Sequence, residues 1–255
     1  MDHAIVIVPA APVRRKARHQ VEMVNQLLFG ETVEILKEKR SGWLKIRSLH
    51  DGYTGWLTRN LVEPIEAEQA RLPVDTVTTA FVSTVSINGK KMHVPVGSSL
   101  PGLIEGTGTL GSLSYDFSGS TLKRFEQQPG LPLLTGFFHA WMHAPYMWGG
   151  RTPLGVDCSG FVQVNYKMMG IDLPRDAWQQ AQEGKPVKKF RDAEAGDLVF
   201  FDDKDEIVHV GILINKEQVI HASGRVRIDQ IDKKGIINAE TGNRSHRLEV
   251  IRRVW

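Results

Sequence analysis

Residues 155–161 read Gly155-Val156-Asp157-Cys158-Ser159-Gly160-Phe161, and Cys158 is the single cysteine among 255 residues. A glycine-bounded turn passes here into Ser159–Met169, a stretch closed by Gly170, which predicts a helix that begins at the thiol. The first turn of a helix presents unpaired N–H groups and roughly half a positive charge, and both favour a thiolate. One cysteine excludes an internal disulfide. Cys158 is therefore either a small buried apolar side chain or a reactive thiol.

Working outward, Leu133–His143 is apolar enough for a helix ended before Pro145, and Pro174–Glu183 predicts another closed by Gly184. Strand-like runs follow: Asp197–Phe201, Ile207–Ile214, Gln218–Ala222 and Arg247–Val254. Helices first and an antiparallel sheet after them make an α+β layout. His209 stands in the second of these strands and His221 in the third. A lone imidazole in an apolar strand is ordinarily a satisfied core residue, but two on neighbouring strands suit a base and the group that orients it. Side chains alternate faces along a strand, so a plain two-residue turn at Asn215-Lys216 would put the two rings on opposite faces. The hairpin is expected to carry a bulge, or a three-residue loop that pairs Leu213 with Glu217.

Residues 1–66 carry short β runs, Thr32–Leu36, Trp43–Arg47 and Tyr53–Leu57, punctuated by Ser41-Gly42 and Asp51-Gly52. Such spacing predicts a small barrel. Residues 67–129 predict a second, divergent barrel with a two-residue hairpin turn at Asn88-Gly89, and residues 130–255 hold the α+β part. Lys and Arg number 32 against 29 Asp and Glu, giving +3, and this balance excludes the one-sided excess that phosphate-backbone binding needs. Nucleic acid is not an expected partner. Ala4–Val8 is the longest apolar run near the start, far short of the ~20 residues a membrane span requires, and Arg14, Arg15, Lys16 and Arg18 follow it, the reverse of a secretory leader. The expected setting is cytoplasmic, with export after removal of a leader as the alternative, and the chain is expected to be a monomer. Asp202-Asp203-Lys204-Asp205-Glu206 lacks the Gly and closing Glu of a calcium loop and is expected to be a surface turn.

Pro145-Tyr146-Met147-Trp148-Gly149-Gly150, Asp157-Cys158-Ser159-Gly160-Phe161, Leu173-Pro174-Arg175-Asp176, Gly196–Phe201, His209-Val210-Gly211-Ile212 and Ile220-His221-Ala222-Ser223 occur in the order and spacing of the NlpC-type cell-wall cysteine peptidases. The resemblance spans about residues 131–254. Gly30-Glu31, Gly42-Trp43 and Gly55-Trp56 resemble a bacterial SH3-like domain. The resemblance implies a papain-like domain behind two SH3-like barrels and an activity without cofactor. It makes Cys158 the nucleophile, His209 the general base and His221 the orienter. Tyr146 would help bind the substrate or its oxyanion, Asp157 would face a free N-terminal amine, and Ser159 and Asp176 would line the pocket. Glu22 and Tyr53 match the acid and the tyrosine that the first SH3-like domain contributes in such relatives. The implied reaction is hydrolysis of the γ-D-glutamyl-L-diamino acid bond of murein peptides that carry a free N-terminal L-Ala, during cell-wall peptide recycling.

Other readings of the same chain are an amidase or lytic hydrolase of intact peptidoglycan, a non-enzymatic wall-binding protein, and a zinc hydrolase using Cys158, His209 and His221 as ligands. Thiol alkylation and chelation separate the last from a thiol mechanism.

Overall fold

The computed structural model describes residues 2–255. In the first sheet, alternation sends Val33, Leu44, Ile46 and Leu57 inward from strands Thr32–Glu38, Trp43–Ser48 and Thr54–Thr58. They join Ala4, Val6, Ala11, Val13 and Leu27 in one apolar core. Further on, Val82–Ile87 and Lys90–Pro95 form a hairpin, with Asn88 at φ 50° and Gly89 at φ 75° making its turn. Thr107–Leu110 and Leu113–Ser118 complete a four-stranded sheet. Its Val85, Val94, Leu110, Tyr115 and Phe117 pack with Ile5 of the first sheet and with Phe29, in the turn that follows strand Met23–Leu28. The second cluster thus draws on residues from both sides of residues 66 and 67, and both all-β parts belong to one unit, residues 1–127 with Trp148–Pro153.

That last segment departs from the boundary expected at residue 130. Arg151 is fully buried and sends Nη1 to Glu31 Oε2 at 2.7 Å and Nη2 to Glu31 Oε1 at 3.0 Å. A buried guanidinium demands such a partner, and Glu31 lies 120 residues away in the chain.

The second unit is Gln128–Met147 with Leu154–Trp255. Its helices are α1 (Leu131–Phe138), α2 (Cys158–Met168) and α3 (Ala177–Gln180). Its main strands are β1 (Leu198–Asp203), β2 (Glu206–Asn215), β3 (Gln218–Ser223), β4 (Arg225–Asp232), β5 (Gly235–Ile237) and β6 (Arg244–Arg253). They pair in the order β6-β1-β2-β3-β4-β5, and β5 pairs back to β6, which closes the sheet on itself. Phe161 of α2 meets Trp141 edge-on at 5.7 Å, and every residue of α2 is buried.

Three local expectations are corrected. The helix predicted over 133–143 stops at Phe138 and continues as turns. The helix predicted over 174–183 is formed only at Ala177–Gln180, because Gly184 at φ 65° turns the chain toward Arg253, whose carbonyl oxygen would lie 2.3 Å from a Cβ there. Asp202 belongs to β1 rather than to a surface turn. Its carboxylate pairs with Arg247, while Lys204 and Asp205 take the positive φ angles of the β1–β2 turn. Strands β4 and β5 were not anticipated, since the charged residues of Arg225–Asp232 mask its alternation. No helix among the described residues is long and apolar enough to cross a membrane.

Candidate active site

Asp157 caps α2, its Oδ1 accepting the Gly160 N–H at 2.7 Å, and this places Cys158 in the first turn, 5% exposed. Arg175 holds the same carboxylate with Nη1 to Oδ1 at 2.9 Å and Nη2 to Oδ2 at 2.6 Å, and donates from Nη1 to Ser159 Oγ at 2.9 Å. Asp157 and Ser159 thus sit beside the thiol in a buried cluster organised by a guanidinium. Asp157 thus both caps the helix and pairs with Arg175. Asp176 donates its N–H to Gln179 Oε1 at 3.2 Å in the capping box that starts α3.

The histidines come from the β2–β3 hairpin. Gly211 pairs with His221, Ile212 with Ile220 and Leu213 with Val219, and a bulge before Asn215 lets Asn215 meet Gln218. The bulge supplies the odd residue that the face argument requires. The ladder itself is shifted from the expected pairing, with Leu213 opposite Val219 rather than Glu217. His209 and His221 are therefore diagonal neighbours on one face, with His209 Nε2 at 2.8 Å from His221 Nδ1. Gly211 leaves the space between them, since a Cβ there would come within 3.1 Å of the His221 Cβ and 2.6 Å of a Val219 methyl.

Cys158 meets this wall one residue along from His209, where the Val210 N–H bonds its sulfur. Burial, and after it the Asp157 charge, push the thiol up to about 12, against the downward pull of the Val210 N–H, Arg175 and the Ser159 N–H. The expected thiolate at the helix start is thus outweighed by desolvation. Burial, followed by His221 and His246, holds the His209 imidazole well below 6.5. Tyr146 lies within electrostatic reach of Cys158, and burial raises its phenol further from ionisation. Tyr146, His209, His246, Val208 and Ala222 line a cleft of about 280 Å³.

Two residues at this wall escaped the sequence argument. Asp229 on β4 accepts from His221, with Nε2 and Oδ2 3.0 Å apart, and is 2% exposed. It stands two residues beyond Arg227, the partner of His221, and so shares the face of His221. An acid in an alternating run beside the histidine strand was the available signal. His246 on β6 stacks on His209 at 4.3 Å and 23°, and no local motif marks it. Among the described residues no group of three or more His, Cys, Asp and Glu side chains is placed to hold a metal ion.

Glu22 and Tyr53 belong to the first unit. Glu22 pairs with Arg15 at 3.0 Å, and the Tyr53 N–H donates to Asp51 Oδ1 at 3.0 Å.

Residues 143–245 match the NlpC/P60 family, and residues 13–60 match the bacterial dipeptidyl-peptidase SH3 domain. The chain is 30% identical over 215 residues to the gamma-D-glutamyl-L-lysine dipeptidyl-peptidase of Bacillus subtilis (strain 168), covering 77% of this chain and 71% of that one. Dipeptidyl-peptidase 6 of Lysinibacillus sphaericus is 25% identical over 276 residues, covering 91% and 93%. The crystal structure of an NlpC/P60 family protein from Bacillus cereus ATCC 10987 superposes with a TM-score of 0.82 at 22% identity, over 98% of this chain and 99% of that one. A papain-like α+β unit behind SH3-like β structure defines a cysteine peptidase. The chain belongs to the NlpC/P60 family.

Proposed function

We propose that this peptidase hydrolyses the γ-D-glutamyl-L-diamino acid bond of murein peptides with a free N-terminal L-Ala, using Cys158 as nucleophile, His209 as general base and His221 as its orienter. The observation that carries the chemistry is the 2.8 Å His209–His221 contact on the strand whose Val210 N–H bonds the Cys158 sulfur. A neutral imidazole is the form that accepts a proton, and burial keeps His209 neutral. As Cys158 Sγ attacks the γ-carbonyl carbon of D-Glu, His209 takes the thiol proton and then delivers it to the leaving amine of the diamino acid. The resulting thioester is cleaved by a water that His209 deprotonates, and the thiol is restored. The Tyr146 phenol, kept protonated by its surroundings, and the Cys158 backbone N–H donate to the oxyanion. Asp157 and Ser159 act through Arg175, holding the helix start in place.

The substrate reading is supported by the Bacillus subtilis relative, whose name specifies γ-D-glutamyl-L-lysine, and by the Lysinibacillus sphaericus relative, which is likewise named a dipeptidyl-peptidase. A released dipeptide begins at a free amine. Peptides already detached from the wall carry that amine, which fits recycling in the cytoplasm.

Mass spectrometry of products from L-Ala-γ-D-Glu-diaminopimelate, its lysine counterpart and both with a blocked amine tests the reading. Cleavage after D-Glu in the free peptides is expected, with little in the blocked ones and none with Cys158→Ala. Equal rates on free and blocked peptides, or release of fragments from intact peptidoglycan at the same rate, would replace this reading with that of a lytic hydrolase.

A further inference from the structure

The Asp229 carboxylate is fixed on both sides. Its Oδ1 accepts the Ala239 N–H at 2.9 Å and Arg227 Nη2 at 2.9 Å, and its Oδ2 faces His221 Nε2 at 3.0 Å. Arg227 is itself held by Glu240 Oε2 at 3.1 Å and Asn238 Oδ1 at 3.3 Å. Burial works against the charge, yet the bonds from His221, the Ala239 N–H and Arg227 bring this carboxyl down to about 2. Asp229 is therefore ionised at any working pH and can only accept.

An acceptor at Oδ2 requires the proton of neutral His221 to sit on Nε2, which leaves a lone pair on Nδ1. The 2.8 Å contact to His209 then requires the proton of His209 to sit on its Nε2. His209 Nδ1 is left with a free lone pair and is the one ring nitrogen not engaged by His221. We infer that Asp229 is a positioning residue that sets the tautomer of the base through two successive imidazoles, so that His209 presents a lone pair and not a proton to the thiol. This rests on the reading of Cys158 and His209 as nucleophile and base.

The same contacts dictate what an amide would do. Ala239 and Arg227 are obligate donors at Oδ1, so Asp229→Asn must place its carbonyl oxygen there and turn its NH2 toward His221 Nε2. The proton order then reverses: His221 carries its proton on Nδ1, and so does His209. The base now points a proton at the sulfur, in a side chain of nearly unchanged size.

The experiment combines kinetics with long-range 1H–15N NMR of 15N-histidine-labelled protein. The parent is expected to show His209 and His221 both as Nε2–H tautomers, and Asp229→Asn to show both as Nδ1–H. The substitution is expected to lower kcat by ~10²–10⁴-fold, the range lost with general-base catalysis, with KM within about threefold of the parent. A parent spectrum with His221 protonated on Nδ1 overturns the inference without any variant, so misfolding of Asp229→Asn cannot hide the answer. A folded Asp229→Asn that keeps kcat within threefold overturns it as well. Persistent hydrolysis by Cys158→Ala would instead remove the underlying thiol mechanism, and the parent tautomers would still be read independently.

Discussion

The thiol of Cys158 and the imidazole of His209 are moved away from each other, one up to about 12 and the other well below 6.5, and burial is the largest cause for both. Charge on either is disfavoured in a dry site, so the resting pair is neutral thiol and neutral imidazole rather than thiolate and imidazolium. In the proposed mechanism, proton transfer then accompanies attack. Alkylation of Cys158 by iodoacetamide should accordingly be slow at pH 6–7 and rise with pH beyond 9, since only the thiolate reacts. A fast rate unchanged between pH 5 and 8 would show a preformed ion pair. The helix start was legible from Gly155–Phe161, and with it the place of Cys158 in the first turn. The energetics were not, because a sequence records the neighbours along the chain and not the depth of burial or the Asp157 charge paired with Arg175.

At the scale of elements, the β2–β3 hairpin carries His209 and His221, and two local features hold them together. The bulge before Asn215 keeps both rings on one face, and Gly211 opposite His221 lets the strands approach. A methyl at Gly211 would have to displace Val219 or His221. Gly211→Ala is expected to cost ~1–3 kcal/mol in urea denaturation, the usual range for overpacking, and to lower kcat more than it raises KM. Unchanged stability and kcat would mean that the 2.8 Å contact does not depend on that space. Parity arithmetic foresaw an irregularity here, yet it did not predict the register. Bulge and loop solutions satisfy the same face requirement, and packing against α2 selects between them.

Taken as a whole, the molecule divides its core between two units, and the second places weakly basic imidazoles inside its sheet. Burial is the main cause that brings His246 down to about 4 and holds His209 well below its ordinary 6.5. The unfolded chain therefore binds protons below about 6.5 that the native state refuses. Stability from these groups is fully present above that pH and is lost as pH falls toward 4. The thermal midpoint should be flat from pH 8 to 7 and decline from 6.5 downward, and His246→Phe, which keeps a stacked ring without a titrating group, should shrink the decline. A midpoint constant from pH 7 to 5 would contradict the buried neutral imidazoles.

Much of this was determined by the chain itself. Apolar alternation and turn residues are local properties, and they sufficed for the α+β class, the β-rich N-terminal half, the helix that begins at Cys158 and the strands bearing His209 and His221. The tertiary structure alone decided the rest. Arg151 meets Glu31 across 120 residues, Ile5 and Phe29 complete the core of a sheet that begins at Val82, and Asp229 and His246 reach the two histidines from β4 and β6. Such partners are chosen by strand order and by the need to pair every buried charge, and neither leaves a mark in the residues on either side.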